Sequence, residues 1–503
     1  MNLRLIHIDE PQIVFGHNQE TWDPRDGLTL FGPLDELKPY GITCGVVGTA
    51  VGIRKFEQWL EEIQSITRNE KSETSRPSFP GFENVFGLKW LPSRLVKRTI
   101  DPQVLNVHLF HEDSHYRVFG TVDVFAWEII DTIKNEDVKC DIWFVIIPDE
   151  VYVYCRPKSS LPIGRVSSSR RTSQSSAKEF VNAPSLFKEI EDEVAPYRYD
   201  VDFRNQLKAK LLPYTVPTQI VRESTLKPED YLNNFNRPIR QIGKLKAEVA
   251  WNLSTATFYK VGGRPWKLFS VREGVCYVGL AYKVDLKSRE SRNACCAAQM
   301  FLDSGDGIVF KGAVGPWYNA KKGEFHLKRQ PARELLTLAI ETYRRQHGRP
   351  PLEFFIHARS KFNTEEWEGF SEAVPDETAL VGVTIKPVNT LKLYRDGNYP
   401  VLRGTAYIQD DRSAYLWTKG FVPRLQTSLS LEVPNPLYVE VSRGTANIKT
   451  VMKDILALTK LNYNACIFGD GLPVTLRFAD AVGEILTAGP IESPPPLAFR
   501  YYI

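Results

Sequence analysis

Three residues of one segment have the types and spacing to hold an anion: Arg204, Lys208 and Gln219. Arg204 and Lys208 lie one helical turn apart in Asp202-Phe-Arg-Asn-Gln-Leu-Lys-Ala-Lys, so they share a face. Two cations so placed repel on a bare helix. Close to a helix N-terminus, whose free N–H groups favour negative charge, they make a pocket for a terminal phosphate. Gln219 follows in Val216-Pro-Thr-Gln-Ile-Val-Arg, on the strand face opposite Thr218 and Ile220, where a buried amide needs a hydrogen-bonding partner. Lys260 ends a later helical stretch. A solvated basic helix face, with Lys260 a mere partner of its helix dipole, is the competing reading, and the segment by itself leaves both open.

Other candidate chemistry is thinner. His108, His111 and His115 stand close enough to suggest metal ligands, but no second cluster completes a site. The seven cysteines (Cys44, Cys140, Cys155, Cys276, Cys295, Cys296 and Cys466) contain no C-x-x-C pair, which points to reduced core thiols and no structural zinc. Gly45, Gly48 and Gly52 are read as punctuating a loop between a strand and a helix. Without a Walker lysine or a G-x-G-x-x-G pattern, that loop is turn chemistry and not a phosphate cradle.

The elements that must position the anion site can be read from periodicity. Asp202 is an N-cap candidate, and Phe203, Leu207 and Leu211 recur every four residues, so an apolar stripe docks this helix on a core. Before it, the first 140 residues mix strands and turns with one clear helix: Ile42 to Val47 is a strand and Ile53 to Ile66 a helix. Asp141-Ile-Trp-Phe-Val-Ile-Ile-Pro has the continuous apolar run of a central parallel strand, and Val166 to Ala177 is a serine-rich, exposed loop. Ala247 to Tyr259 is a helix stopped by Gly262 and Gly263. Val275 to Val284, Asn293 to Leu302 and Gly307 to Ala313 are successive strands; Pro331 to His347 is an amphipathic helix ended by Gly348, and Glu353 to His357 a fourth strand. That order is the order of an RNase H-like domain. Without an internal repeat, two different α/β domains are the economical organisation.

The length of 503 residues, with 43% hydrophobic and 25% charged content, is that of a multidomain globular protein. A net charge of +4 spread over 64 basic and 60 acidic residues excludes neither nucleic acid nor a small ligand. The first residues read as a strand interrupted by charge and no uncharged run approaches membrane-spanning length, so the expected location is the cytoplasm, with no membrane partner.

Several separated segments, in order, resemble short prokaryotic Argonaute proteins. They are Val216-Pro-Thr-Gln-Ile-Val-Arg-Glu-Ser-Thr, Tyr259-Lys-Val-Gly-Gly-Arg-Pro-Trp-Lys-Leu, Asn293-Ala-Cys-Cys-Ala-Ala-Gln-Met-Phe-Leu-Asp, Leu458-Thr-Lys-Leu-Asn-Tyr-Asn, Pro473-Val-Thr-Leu-Arg-Phe-Ala-Asp and the closing Leu497-Ala-Phe-Arg-Tyr-Tyr-Ile. More narrowly, the chain resembles the Argonaute subunit of SPARTA systems, which pair it with a TIR-APAZ protein. The resemblance implies an α/β architecture of a Rossmann-like MID domain (1–263, with an N-terminal extension) followed by an RNase H-like PIWI domain (264–503), with no PAZ or N domain.

In such proteins a Tyr or His, a Lys four residues on, a Gln in the next strand and a Lys at the end of a later helix hold the 5′-phosphate of a guide. Here these positions fall on Arg204, Lys208, Gln219 and Lys260. Arg204 departs from the expected ring, but a guanidinium can stack and adds charge. The resemblance also brings in the C-terminal carboxylate of Ile503, with Gln219 and Mg²⁺ between carboxylate and phosphate. Where active relatives carry catalytic Asp residues, this chain has Tyr282 and Ala358, and only Asp480 keeps an acid near the last position. Asp285 is better read as a surface turn than as a displaced ligand. Two-metal hydrolysis needs carboxylates to hold both ions, so no nuclease activity is expected. The implied function is a guide-RNA-directed sensor of complementary single-stranded DNA in defence against plasmids and phage, which activates NAD hydrolysis in a TIR-APAZ partner. A sirtuin-type or nuclease APAZ effector, or an active guide-directed nuclease, are the alternatives.

Overall fold

The computed structural model describes residues 4–37, 40–69, 73–166, 193–238, 245–270, 272–284, 293–301, 307–316, 318–319, 324–429, 432–490 and 497–503. The serine-rich segment, but for its first residue, and Asp285 lie outside them.

Arg4–His7 (β1) leave the first body at once and pair antiparallel with Thr405–Ile408, some four hundred residues later. The first body is a parallel four-stranded sheet. Its strands are Cys44–Thr49 (β2), Leu95–Ile100 (β3), Ile142–Ile147 (β4) and Thr218–Arg222 (β5), in the order β3-β2-β4-β5. β2 and β4 are buried along their whole length, which is why both are continuous apolar runs. Helices cover both faces: Ala50–Glu62 (α1), Ser114–Asn135 (α2), Phe203–Leu211 (α3) and Lys246–Lys260 (α4). This is a Rossmann-like layering.

Two readings of this region need correction. Gly45 and Gly48 lie inside β2 and Gly52 in the first turn of α1, not in a loop. A Cβ on Gly45 would sit 2.3 Å from the Trp143 ring, so glycine is required there for ring packing against the sheet. The second correction is α2, a 22-residue helix absent from the expected elements of the first 140 residues. Asp113 caps it through His115 N at 2.8 Å, and β-branched and aromatic residues along its length blur the apolar period.

The second body is built on a ten-stranded sheet. Val275–Val284 (β6), Asn293–Phe301 (β7) and Gly307–Pro316 (β8) run as an antiparallel meander. The helix Arg329–His347 (α5), ended by left-handed Gly348, returns the chain to Glu353–Ala358 (β9), parallel to β6. After Thr364–Ala373 (α6), Ala379–Pro387 (β10) joins parallel to β9. This β8-β7-β6-β9-β10 order is RNase H-like and agrees closely with the strands read from sequence. The sheet continues through Thr405–Ile408 (β11), Ser413–Leu416 (β12) and Leu437–Arg443 (β13), giving β1-β11-β12-β13-β10-β9-β6-β7-β8. Ile448–Leu458 (α7) and Val474–Leu486 (α8) follow, and Leu497–Ala498 (β14) pairs with β8 at the far edge. β1 therefore belongs to the second sheet. A large hydrophobic core runs through both bodies, from Phe56, Trp90 and Phe144 to Val439, Met452 and Tyr502.

α8 reaches the sheet at Gly279. A Cβ there would lie 2.0 Å from Thr475 O, so only glycine lets the helix backbone come this near. That approach decides where Asp480 stands. Among the described residues, no helix is long and apolar enough to cross a membrane.

Candidate functional site

The candidate anion site lies where α3, β5, α4 and the last residues of the chain meet. Asp202 caps α3 by accepting from Asn205 N at 2.9 Å. Such a cap stabilises a helix by about 1 kcal/mol. Phe203, Leu207 and Leu211 bury in the core between α3 and the first sheet, Phe203 edge-on to Phe125. Burying that stripe turns Arg204 and Lys208 towards β5 and the C-terminal residues.

There the four predicted side chains converge with Ile503. Lys208 Nζ donates to a main-chain oxygen of Ile503 at 2.5 Å, to Thr218 Oγ1 at 3.2 Å and to Thr218 O at 3.3 Å. Lys260 Nζ donates to Gln219 Oε1 at 2.6 Å and to Thr218 O at 3.0 Å. Arg204 Nη2 reaches Tyr502 O at 3.5 Å, and its Nη1 reaches Asn205 Oδ1 at 3.3 Å. Lys208 and Lys260 are 3% and 2% exposed, too buried for a solvated helix face. Sequence reasoning missed Thr218, whose carbonyl both lysines share; its signal is its place beside Gln219.

The electrostatics fit an anion. Burial first, then the charges of Lys260 and Arg204, push the Lys208 ammonium well below its ordinary range. Burial and then Arg204 bring Lys260 down to about 7. Burial also lowers Arg204, against the opposing pull of Asp202 and Glu484. Buried cations crowded against one another are held in a costly state, which a bound dianion would relieve.

Gln219 Oε1 and Ile503 O are hard oxygen donors of the kind Mg²⁺ takes. Both already accept from lysines, and the surrounding cations repel a bare divalent ion. The residues fit Mg²⁺ as the companion of a phosphate, not as a lone resident.

The second predicted centre lies where β6 and β9 end. Ala358 is buried, and Tyr282 donates its hydroxyl to Glu366. Asp480 stands on α8 beside both strand ends, paired with Arg359 and with Lys283 Nζ at 3.9 Å. Tyr282, Ala358 and Asp480 are thus brought to one region. Lys283, Arg359 and Glu366 went unread. Glu366 is 1% exposed and accepts from Leu327 N at 3.0 Å, with His326 Nδ1 at 3.4 Å from its other oxygen. Its one sequence signal is the cap spacing Asn363-x-x-Glu366, and Asn363 does cap α6 through Glu366 N at 2.7 Å. Next to Ala358, burial drives the His357 imidazole down to about 3, and its Nδ1 lies 3.0 Å from Thr475 Oγ1.

Among the described residues, no group of three or more His, Cys, Asp or Glu is placed to hold a metal ion. His108, His111 and His115 do not converge: His111 Nδ1 accepts from Asp113 N at 3.0 Å and its ring stacks on Tyr116, while His115 packs on Tyr197. Cys44, Cys140, Cys155, Cys276 and Cys466 are free and buried, and burial lifts the Cys44, Cys140, Cys155 and Cys466 thiols.

No protein-family model matches the chain, and no curated protein matches it by sequence. Solved structures do match. A Clostridium butyricum Argonaute bound to a guide DNA and a 19-mer target DNA is 14% identical, with a TM-score of 0.63 over 100% of this chain and 55% of that one. Drosophila Piwi is 13% identical, with a TM-score of 0.58 over 99% of this chain and 56% of its own. Aa-Ago with externally bound siRNA is 15% identical, with a TM-score of 0.57 over 100% and 56%. The chain spans little more than half the length of each. At such identity the likeness is one of fold, and the fold of this chain, a Rossmann-like body followed by an RNase H-like one, is that of the Argonaute and Piwi proteins.

Proposed function

We propose that this chain is a guide-directed sensor, which holds a 5′-phosphorylated guide RNA and pairs it with complementary single-stranded DNA. The observation that carries the reading is the convergence of Arg204, Lys208, Gln219 and Lys260 with Ile503, a buried pocket in which three cations crowd together. Lys208 and Lys260 donate to the phosphate, Arg204 adds charge at its outer side, and Gln219 fixes the pocket by holding Lys260. Mg²⁺, where it joins the phosphate, is held by Gln219 and Ile503 and offsets repulsion between the Ile503 carboxylate and the phosphate. Lys208, already donating to Ile503, shares that task, so chelating the metal weakens guide binding less than removing Lys208 does.

Within the same reading the chain does not cut its target. Tyr282 and Ala358 cannot hold metal ions, and Asp480 is engaged by Lys283 and Arg359. The output passes to a separate effector, a TIR-APAZ protein that hydrolyses NAD once a target is bound, in defence against plasmids and phage. Control of this kind requires that the target-bound state touch the effector differently from the free state.

The test is to purify the chain from cells and extract what travels with it. Short RNAs that carry 5′-phosphates are expected. Nucleic acid without a preference for phosphorylated ends, or none, would contradict the reading.

A further inference from the structure

The strand ends that lack an acid pair carry a pair of cations. Tyr282 is followed by Lys283 and Ala358 by Arg359, and β6 and β9 lie side by side, with Ala358 opposite Leu280. Both cations turn to one carboxylate: Arg359 Nη2 is 2.5 Å from Asp480 Oδ2, and Lys283 Nζ is 3.9 Å from Asp480 Oδ1. Glu484, one turn further along α8, also holds Lys283 Nζ, at 3.1 Å. The group is open to solvent, with the side chains of Arg359, Lys283 and Asp480 48%, 28% and 28% exposed.

We propose that Lys283 and Arg359 form a binding site for a phosphodiester of the strand paired to the guide, and that Asp480 occupies their charge until that phosphate arrives. The proposal rests on the sensor reading and extends it to a second contact. An anion between two cations at the surface is readily exchanged, because exposed ion pairs are weak and the guanidinium fork suits carboxylate and phosphate oxygens alike. An ammonium and a guanidinium neutralise a phosphate without activating water as a metal ion does. The site therefore grips a strand where an active relative of this fold would cut one. Gly279 is what keeps α8, and with it Asp480, against the strand ends.

Asp480 makes the proposal directional. Removing the cations weakens binding of the complementary strand, whereas Asp480→Asn, which frees Arg359 and leaves Lys283 held by Glu484 alone, strengthens it. The experiment measures binding of complementary DNA to the guide-loaded protein over a series of salt concentrations, with guide loading measured separately. For Lys283→Ala with Arg359→Ala, the slope of log affinity against log salt is expected to fall by roughly 0.7–0.9 for each lost phosphate contact. For Asp480→Asn, target affinity is expected to rise several-fold. Guide loading should stay unchanged in both. An unchanged slope in the double variant, or unchanged or weaker target binding in Asp480→Asn, overturns the proposal. A fall in guide loading instead would assign the cations to the guide, and equally overturns it. Failure of the unaltered protein to load any guide would remove the sensor reading itself, which is a different result. Should the double variant not fold, the Asp480→Asn measurement decides alone.

Discussion

The proposed phosphate pocket is built on compromised lysines, and that gives it a pH signature. Lys260 sits at about 7 in the guide-free fold, below its ordinary 10.5. Between these values the folded, empty protein keeps Lys260 neutral, while the unfolded chain and the phosphate-bound protein keep it charged. Unfolding there takes up a proton, so this group makes the empty protein more stable as pH rises through the window. Phosphate binding also takes up a proton, so affinity falls across the same window. Titrating 5′-phosphorylated and 5′-hydroxyl guides from about pH 6.5 to about pH 8.5 should show weakening for the phosphorylated guide and little change for the other. At this scale much was legible. Arg204, Lys208 and Gln219 carry a charge and amide pattern that a single chain displays openly, and the resemblance added Lys260 and Ile503. Glu366 was not legible, because a carboxylate three residues beyond a helix cap is ordinarily a solvated capping group. Only the pairing of β6 with β9 puts α6 beside Tyr282.

Among the elements, those with an uninterrupted pattern were read almost to the residue: β6 as observed, β7 and α4 within one or two positions, and α5 with its Gly348 stop. α2 escaped because its buried face mixes Val118, Val122, Phe125 and Ile129 with Gly120 and Thr121. The glycines of β2 were misread for a related reason. Glycine signals a turn only when nothing packs on it, and Trp143 and Ile146 pack on Gly45 and Gly48. Gly279 is the same device at the second centre. Gly279→Ala puts a methyl against the main-chain Thr475 O, which cannot swing aside as a side chain does, so α8 must lift. A loss of about 1–3 kcal/mol in stability is expected. Denaturant titration checks it, and a neutral result would mean that α8 does not depend on this approach.

At the scale of the whole molecule, the two ends of the chain tie the bodies together. β1 closes one edge of the large sheet, β14 pairs at the other, and Tyr502 and Ile503 finish the pocket that α3, β5 and α4 begin. None of this has a local signature, since pairing across some four hundred residues is decided by what edges remain open. α8 carries Asp480 at the second candidate centre and Glu484 towards Arg204, so one helix spans both candidate sites. Incubating guide-loaded protein with a labelled complementary strand and Mg²⁺ or Mn²⁺ should leave the strand intact. Cut product would return the chain to the nucleases.

The most direct measurement compares two guides of one sequence, differing only in a 5′-phosphate, for equilibrium binding to the unaltered protein and to Lys208→Ala with Gln219→Ala. Each charge-assisted contact to phosphate contributes about 1.5–3 kcal/mol, and about 1.4 kcal/mol is a factor of ten. The phosphorylated guide should therefore bind at least tenfold more tightly to the unaltered protein, and the double substitution should erase most of that preference while leaving the hydroxyl guide nearly unchanged. Equal affinity for the two guides in the unaltered protein, or equal loss for both in the variant, would contradict the account.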